Sequence, residues 1–204
     1  MWLDNVIFEN RSIEDERLEL GARNGNYYLG PDLTLRRCTL ILRVPAKRLH
    51  LTGPRLIDCT IEVKQELKTL RWYTAFLQGC RFTGRLSGND FGRWPEAKGF
   101  EEIGGIEDCD FTAAILDGCR FLGCDMKSIK LPRWPCFTIL NPYHRRQELL
   151  AFAWPGNMRA AMDFTWTPAS TAAVTYLAPT LAKQFGATDG EIRAALKSVD
   201  DVVY

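Results

Sequence analysis

Apolar side chains recur at every fifth position through the middle of this chain. The longest run of them is Ile106, Phe111, Leu116, Phe121, Met126 and Leu131. The residue two places before each of these is mostly small, as in Gly104, Cys109, Ala114, Cys119 and Cys124. Shorter runs with the same spacing are Leu3/Phe8/Ile13/Leu18, Leu51/Leu56/Ile61, Leu35/Leu40 and Leu77/Phe82. A period of five fits neither an α-helix nor an ordinary strand, so the pattern predicts a repeat architecture.

A square coil with one five-residue unit on each side explains this period. The central residue of each unit points into the coil, and the residue two before it lies inside near a corner, where a small side chain fits. Cysteine behaves as a small buried hydrophobe and suits that corner. Four sides make about 20 residues per turn, and Cys38, Cys59 and Cys80 follow one another at intervals of 21. We therefore expect these cysteines to stack at the interstrand spacing of about 4.8 Å.

Residues 109–128 carry a resemblance to a known family. They read Cys-Asp-Phe-Thr-Ala, Ala-Ile-Leu-Asp-Gly, Cys-Arg-Phe-Leu-Gly and Cys-Asp-Met-Lys-Ser, which resembles four consecutive units of the pentapeptide-repeat family. The resemblance is specific over 104–131 and extends over 33–84. It implies a mainly β fold, a right-handed quadrilateral β-helix. The motif of that family is structural, so the resemblance brings no catalytic residues.

Breaks in the period divide the chain. Cys80 and Cys109 are 29 residues apart, which is more than one turn, and the excess falls in a glycine-rich stretch. We therefore predict a loop insertion near 85–103. The segment 63–73 also lacks the period, and both a loop and a short helix fit it. Because the period stops after residue 131, we predict a β-helix over 1–140 and a helical C-terminal tail over 141–204 that caps its open end.

Three helices are expected in this tail. The first spans about 143–153, and the second runs from about 167 to 186 with a kink at Pro179. The last helix begins with a capping box formed by Thr188 and Glu191, and it carries one apolar face. Covering the end of the coil is one role for the tail, and binding a partner is the other.

Composition narrows the choice of partner and compartment. The 204 residues include 26 basic and 25 acidic side chains, and this near-neutral balance favours neither nucleic acid nor an anionic membrane as the partner. Residues 1–4 show no basic run followed by an apolar core, and no stretch is long and apolar enough for a spanning helix. We therefore expect a cytoplasmic protein whose seven cysteines stay reduced.

No arrangement of residues predicts a catalytic group, a cofactor or a metal site. Cys119 and Cys124 lack the spacing of a zinc knuckle and are explained as inward residues of the coil. A thiol nucleophile needs a histidine base, but we expect His50 to face outward on the coil and His144 to decorate a helix. Two arginine pairs could meet phosphate or an acidic partner, although a solvated face explains them better: Arg36-Arg37 and Arg145-Arg146.

The side chains that bear on binding lie where the repeat is interrupted. Loops on a rigid scaffold often carry function, and aromatic and arginine side chains dominate interface hot spots. We expect the protein-binding residues to be Trp72, Tyr73, Phe91, Arg93 and Trp94. The alternative is that these aromatic side chains fold back onto the coil.

The function expected from these features is that of a non-enzymatic protein-binding module. Bacterial immunity proteins include pentapeptide-like folds, so the resemblance implies a protein that neutralises a cognate toxin by binding its toxin domain directly. An alternative is a DNA-mimicking pentapeptide protein that protects a topoisomerase. Such members are strongly acidic, whereas this chain has a net charge of +1. A small enzyme is the third interpretation.

Overall fold

The computed structural model describes residues 4–99 and 102–204; Leu3, which the repeat includes, lies outside them. The protein is mostly β, with 41% of its residues in strands and 18% in helices. Short parallel strands form a β-solenoid of about four turns, which confirms the predicted coil. Its strands are β1 (Asp4–Phe8), β2 (Arg11–Glu14), β3 (Arg17–Leu20), β4 (Gly25–Leu29), β5 (Leu33–Arg36), β6 (Thr39–Leu42), β7 (Leu49–Leu51), β8 (Arg55–Ile57), β9 (Thr60–Val63), β10 (Leu67–Lys68), β11 (Phe76–Gln78), β12 (Arg81–Ser87), β13 (Asp90–Gly92), β14 (Gly105–Glu107), β15 (Asp110–Asp117) and β16 (Cys119–Leu122).

The solenoid has four faces. Face 1 holds β1, β4, β7, β13 and β16, and face 2 holds β2, β5, β8, β11 and β14. Face 3 holds β3, β6, β9 and the first halves of β12 and β15. Face 4 is a short connection in the first two turns and becomes a strand at β10 and the second halves of β12 and β15. The turns are in register, so that one ladder on face 2 consists of Ile13, Leu35, Leu56, Leu77 and Ile106.

A column of aromatic rings occupies the interior of the later turns. Its members are fully buried: Trp72, Phe82, Phe91, Phe111 and Phe121. Ring centroids within the column lie between 4.6 and 5.9 Å apart. The rings alternate between stacked and edge-to-face arrangements, which are the geometries that aromatic pairs favour.

Thiols fill one corner of the solenoid in every later turn. Strand register stacks Cys38, Cys59, Cys80 and Cys109 on one another, and all four are buried and reduced. Each Sγ atom lies 3.3 to 3.5 Å from the carbonyl oxygen two residues before it. The predicted stacking of Cys38, Cys59 and Cys80 is therefore confirmed, and the ladder extends by one further member.

The insertion that interrupts the repeat is shorter than predicted. Residues 85–92 belong to the coil, because they form the end of β12 and all of β13. The chain leaves the solenoid only over 93–104, of which residues 100 and 101 lie outside the described part. The segment 63–73 likewise stays in the wall of the coil, as β10 and the start of a 3₁₀ turn at Trp72–Thr74.

The C-terminal part of the chain is a mixed unit, and the prediction of a helical tail is incomplete. Strands β17 (Cys136–Leu140), β18 (Thr171–Leu177) and β19 (Val202–Val203) are antiparallel, and β18 pairs with β16 of the coil. Ala173 joins the core of the solenoid, and the Cys136 Sγ atom lies 3.5 Å from a carbonyl oxygen of β15. Strands therefore cover the end of the coil, while the helices pack on their outer side in a second core.

The helices of this unit are α1 (Arg146–Ala151), α2 (Ala178–Phe185) and α3 (Asp189–Leu196). The helix predicted over 167–186 is wrong for its first half, because 171–177 is rich in β-branched residues and pairs with the free edge of β16. Pro179 does not kink a helix but occupies the first turn of α2, where proline is tolerated. The capping box of α3 is confirmed. Further 3₁₀ turns lie at Ala46–Arg48, Met126–Ser128 and Met158–Met162.

Candidate protein-binding surface

Face 1 presents a row of outward side chains that lie in register on successive turns. They are Ile7, Tyr28 and His50 and, after a break in the sheet, Arg71, Asp90 and Arg120. Side chains alternate across a strand, and the neighbours of these residues point into the core. The rings of Tyr28 and His50 stack with 4.5 Å between their centroids.

Arg120 lies at the centre of the C-terminal half of this face. Its Nε and Nη2 atoms donate hydrogen bonds to the two carboxylate oxygens of Asp90, at 2.6 and 2.8 Å. The guanidinium carbon lies 5.4 Å from the ring centroid of Trp94 and 5.7 Å from that of Trp166. A guanidinium held against two indole rings gains from cation–π attraction, so the four side chains form one fixed cluster.

The ion pair between Arg120 and Asp90 is largely buried in this cluster. The hydrogen bonds from Arg120 to Asp90 raise the pKa of the guanidinium above its usual value, although burial acts against them. The two side chains are only 17% and 14% exposed. Beneath Trp94 lies Tyr73, whose ring meets the indole edge-to-face at 5.0 Å and whose pKa is raised by burial. The Arg120–Asp90 pair therefore carries no net charge, and its arginine stays protonated.

Trp166 is the most exposed large apolar side chain of the described residues, with 60% of its surface open to solvent. It lies on a turn in which the amide of Thr167 donates to the carbonyl of Phe164 at 3.1 Å. Both of these neighbours are buried, so the backbone that carries Trp166 is anchored. A rigid, exposed indole loses little conformational entropy when a partner covers it.

Two loops from different parts of the chain meet beside this cluster. The Glu96 carboxylate accepts hydrogen bonds from the Ser170 amide at 3.1 Å and from its hydroxyl at 2.6 Å. Although burial acts to raise it, these bonds hold the pKa of Glu96 below its usual value. On the other side of Trp94, Arg93 pairs with Glu102 at 2.8 Å. The insertion 93–104 is thereby tied to the loop that carries Trp166.

The residues predicted to bind a partner differ in how deeply they are buried. Trp72 and Phe91 are fully buried in the aromatic column and Tyr73 is 4% exposed, so the expectation that they lie in surface loops is wrong. The rings of Trp72 and Phe91 fill space inside the coil that the interrupted period did not reveal, and the ring of Tyr73 packs against Trp94. Arg93 is exposed and Trp94 is half-buried. Trp94 belongs to the Arg120 cluster and Arg93 borders it, and their role in binding stays a prediction.

The other candidate residues are accounted for by local contacts. His50 faces outward on the coil, as expected, and His144 lies exposed just before α1. Arg37 pairs with Glu14 and Asp15, and Arg145 pairs with Glu148. Across residues 4–99 and 102–204, no group of three or more metal-ligating side chains comes together, and no helix is long and apolar enough to cross a membrane.

Sequence reasoning missed the two residues at the centre of this surface. Arg120 was recognisable as an outward position of the unit Cys119-Arg120-Phe121, but nothing in the sequence shows that it meets Asp90 one turn earlier. Trp166 lies beyond the repeat, where the period gives no information. Comparison with protein-family models, with curated proteins and with solved structures finds no match.

Proposed function

We propose that this chain is a protein-binding module of the pentapeptide-repeat family and that it acts as an immunity protein, by covering a toxin domain. The observation that carries the proposal is the exposed Trp166 indole held on Arg120 at the surface of face 1. Tryptophan and arginine are the side chains most enriched at interface hot spots. A stable solenoid beneath them supplies the rigidity that such an interface needs.

The chemistry of face 1 suits recognition better than proton transfer. Two N–H groups of the Arg120 guanidinium donate to Asp90, and the imidazole ring of His50 stacks on Tyr28. Arginine stays protonated at neutral pH, so Arg120 cannot act as a general base. A surface of paired charges and exposed aromatic area is what a tightly bound protein partner covers.

The charge pattern of the coil argues against the alternative of a DNA-mimicking protein. Ion pairs between neighbouring turns alternate the sign of charge along the surface, as in Arg43–Glu19 and Arg81–Asp110. Duplex DNA presents a continuous row of negative charge, and a surface of alternating sign does not reproduce it. The immunity function therefore fits these residues better than protection of a topoisomerase.

The test uses the product of the gene directly upstream of this chain, which the immunity function predicts to carry a toxin domain, purified and titrated against the chain by calorimetry. Trp166→Ala should weaken binding by about 2 kcal/mol, roughly thirtyfold, and should leave the thermal midpoint unchanged because the indole is mostly exposed. Ile115→Ala is the matched control: this side chain is 44% exposed but lies on face 4. Coexpression of each variant with the toxin in a bacterial host then measures neutralisation as growth.

Two results would contradict the proposal. Unchanged affinity of Trp166→Ala, or an equal loss of affinity in Ile115→Ala, would place the interface on another face. Failure of the wild-type chain to bind the toxin domain or to restore growth would remove the immunity function. Arg93→Ala and Trp94→Ala extend the test to the residues predicted from the sequence.

A further inference from the structure

The sheet on face 1 is interrupted between β7 and the following turn. Within the described residues, β7 pairs with β4 on one side only. Where the next strand of this face would lie, the chain forms the 3₁₀ turn Trp72–Thr74 instead. The two walls meet again at one end of the gap, where the Gly53 amide donates to the Thr74 carbonyl at 2.9 Å. An unpaired strand edge therefore borders an opening in the wall of the coil.

This opening is a cleft of about 390 Å³, a size within the range of ligand pockets. Its apolar lining comes from Leu49, Leu51 and Leu70, and its polar lining includes Lys47, His50 and Arg71. None of the lining residues is acidic, and neither Lys47 nor Arg71 forms an ion pair within the described part of the chain. The cleft thus combines a strand edge, an apolar floor and a basic rim.

The cleft is built into the fold. Its far wall is the 3₁₀ turn, and Trp72 anchors that turn from inside the coil. The indole is fully buried, stacks on Phe91 at 5.9 Å and donates its Nε1 hydrogen to Asn89 at 3.1 Å. Moving this turn toward β7 to form a regular ladder would disturb both of these contacts. The edge of β7 therefore stays open in the folded protein.

We propose that this cleft binds an extended, acidic segment of a protein partner, which adds to β7 as a further strand. An unpaired strand edge recognises an extended backbone through main-chain hydrogen bonds, and carboxylates of the added segment would meet Lys47 and Arg71 at the rim. The charge of the rim selects an acidic segment over a neutral or basic one. The inference rests on the proposed function in one respect, that the partner is a protein, and the cleft lies on the same face as Trp166.

The experiment titrates the full chain with dye-labelled peptides and follows fluorescence anisotropy. The probe is the amidated peptide Val-Glu-Val-Glu-Val with the dye on its N-terminal amine, and the other peptides are labelled in the same way. Its two counterparts are Val-Lys-Val-Lys-Val and the acidic sequence with alternate backbone nitrogens methylated, which removes main-chain donors on one edge. We expect the acidic peptide to bind at millimolar concentration or below, and each counterpart to bind at least about tenfold more weakly.

Variants of the rim test whether the peptide occupies this cleft. The double variant Lys47→Glu/Arg71→Glu should weaken binding of the acidic peptide about tenfold or more. Arg36→Glu is the matched control, since this exposed arginine lies on face 2. If the double variant does not fold, Lys47→Gln/Arg71→Gln replaces it, and the comparison of peptides on the wild-type chain needs no variant.

Each outcome supports or overturns the inference. The inference is overturned if the acidic and lysine peptides bind equally well, or if methylation of the backbone does not weaken binding. It is also overturned if Arg36→Glu weakens binding as much as the double variant does, or if the acidic peptide does not bind up to about 5 mM. Full displacement of the peptide by millimolar sodium citrate alone would reduce the cleft to an anion site and would also overturn it. Because no toxin enters this assay, a negative result leaves the Trp166 interface standing, and loss of that interface leaves the peptide result standing.

Discussion

Replacing Asn89 with alanine tests how the corners of the solenoid are held together. The side chain is fully buried at the corner between faces 4 and 1, where β12 ends and β13 begins. Its amide nitrogen donates to the carbonyls of Leu67 and Ser87 at 2.8 and 2.9 Å, and its carbonyl accepts from the Trp72 indole at 3.1 Å. Cys119 takes the same corner one turn later, with its Sγ atom 3.3 Å from the Leu86 carbonyl oxygen. Asn89 therefore donates to carbonyl oxygens as the thiol of Cys119 does, and it also accepts a hydrogen bond from the Trp72 indole.

The expected loss of stability follows from the hydrogen bonds that Asn89→Ala removes. The Trp72 indole would keep a buried donor without a partner, which costs about 1–3 kcal/mol. Two further hydrogen bonds to backbone carbonyls would be lost, at about 0.5–1.5 kcal/mol each. We expect the free energy of unfolding to fall by about 4 kcal/mol, a large part of the roughly 5–15 kcal/mol of a typical domain.

The comparison variant is Asn89→Cys, which restores a donor to the two carbonyls but gives the indole no acceptor. It should cost roughly half as much as Asn89→Ala, about 2 kcal/mol. Denaturant titration, followed by far-ultraviolet circular dichroism and by tryptophan fluorescence, measures both variants. The corner argument is refuted if Asn89→Ala costs less than about 1 kcal/mol, or if cysteine is no better tolerated than alanine.

Three further predictions address the core and its polar atoms. In the native protein Cys124, the only half-buried cysteine of the described residues, should react first with a thiol reagent. Burial raises its pKa to about 12, so the rate of reaction should rise with pH as the thiolate forms. Rapid labelling of most other cysteines would contradict the fold. Phe111→Ala and Phe121→Ala should each cost about 3–5 kcal/mol in a denaturant titration, and a loss below about 1 kcal/mol from both would remove these rings from the core. Thr171→Val deletes a buried hydroxyl without a described partner, and it should be neutral or stabilising. Thr175→Val breaks a buried 2.7 Å hydrogen bond between threonines, and it should cost about 1–3 kcal/mol of stability. A larger loss from Thr171→Val than from Thr175→Val would show that the two hydroxyls are misassigned.

The regular part of the coil was predictable because its rule is local. A central apolar residue and a small residue two places before it decide which side chains point inward, and this rule located the cysteine ladder and the rings of Phe111 and Phe121. The rule failed at Phe91, since the corner before it holds asparagine. A polar corner is acceptable only when carbonyl oxygens and an indole donor surround it, and those partners come from other turns.

The surface around Arg120 could not be predicted for a different reason. Residues 171–177 place apolar side chains at spacings that fit both a helix and a strand. What decides between them is the free edge of β16, which offers hydrogen-bond partners to β18. Only after that pairing does the loop with Trp166 lie beside Arg120. Tertiary pairing of this kind overrides local preference, and it is invisible in a single sequence.

The interruptions of the repeat and the candidate binding surface share one face for a physical reason. A regular solenoid repeats the same outward positions on every turn, and its charges pair between neighbouring turns, as Arg37 does with Asp15. Such a surface offers a partner little that differs from one turn to the next. Distinct shape arises only where the ladder breaks: at the 3₁₀ turn 72–74, at the insertion 93–104 and at the loop before β18. All three border face 1, where they leave the unpaired edge of β7 and the exposed indole of Trp166, so recognition and irregularity should map to the same side of the coil.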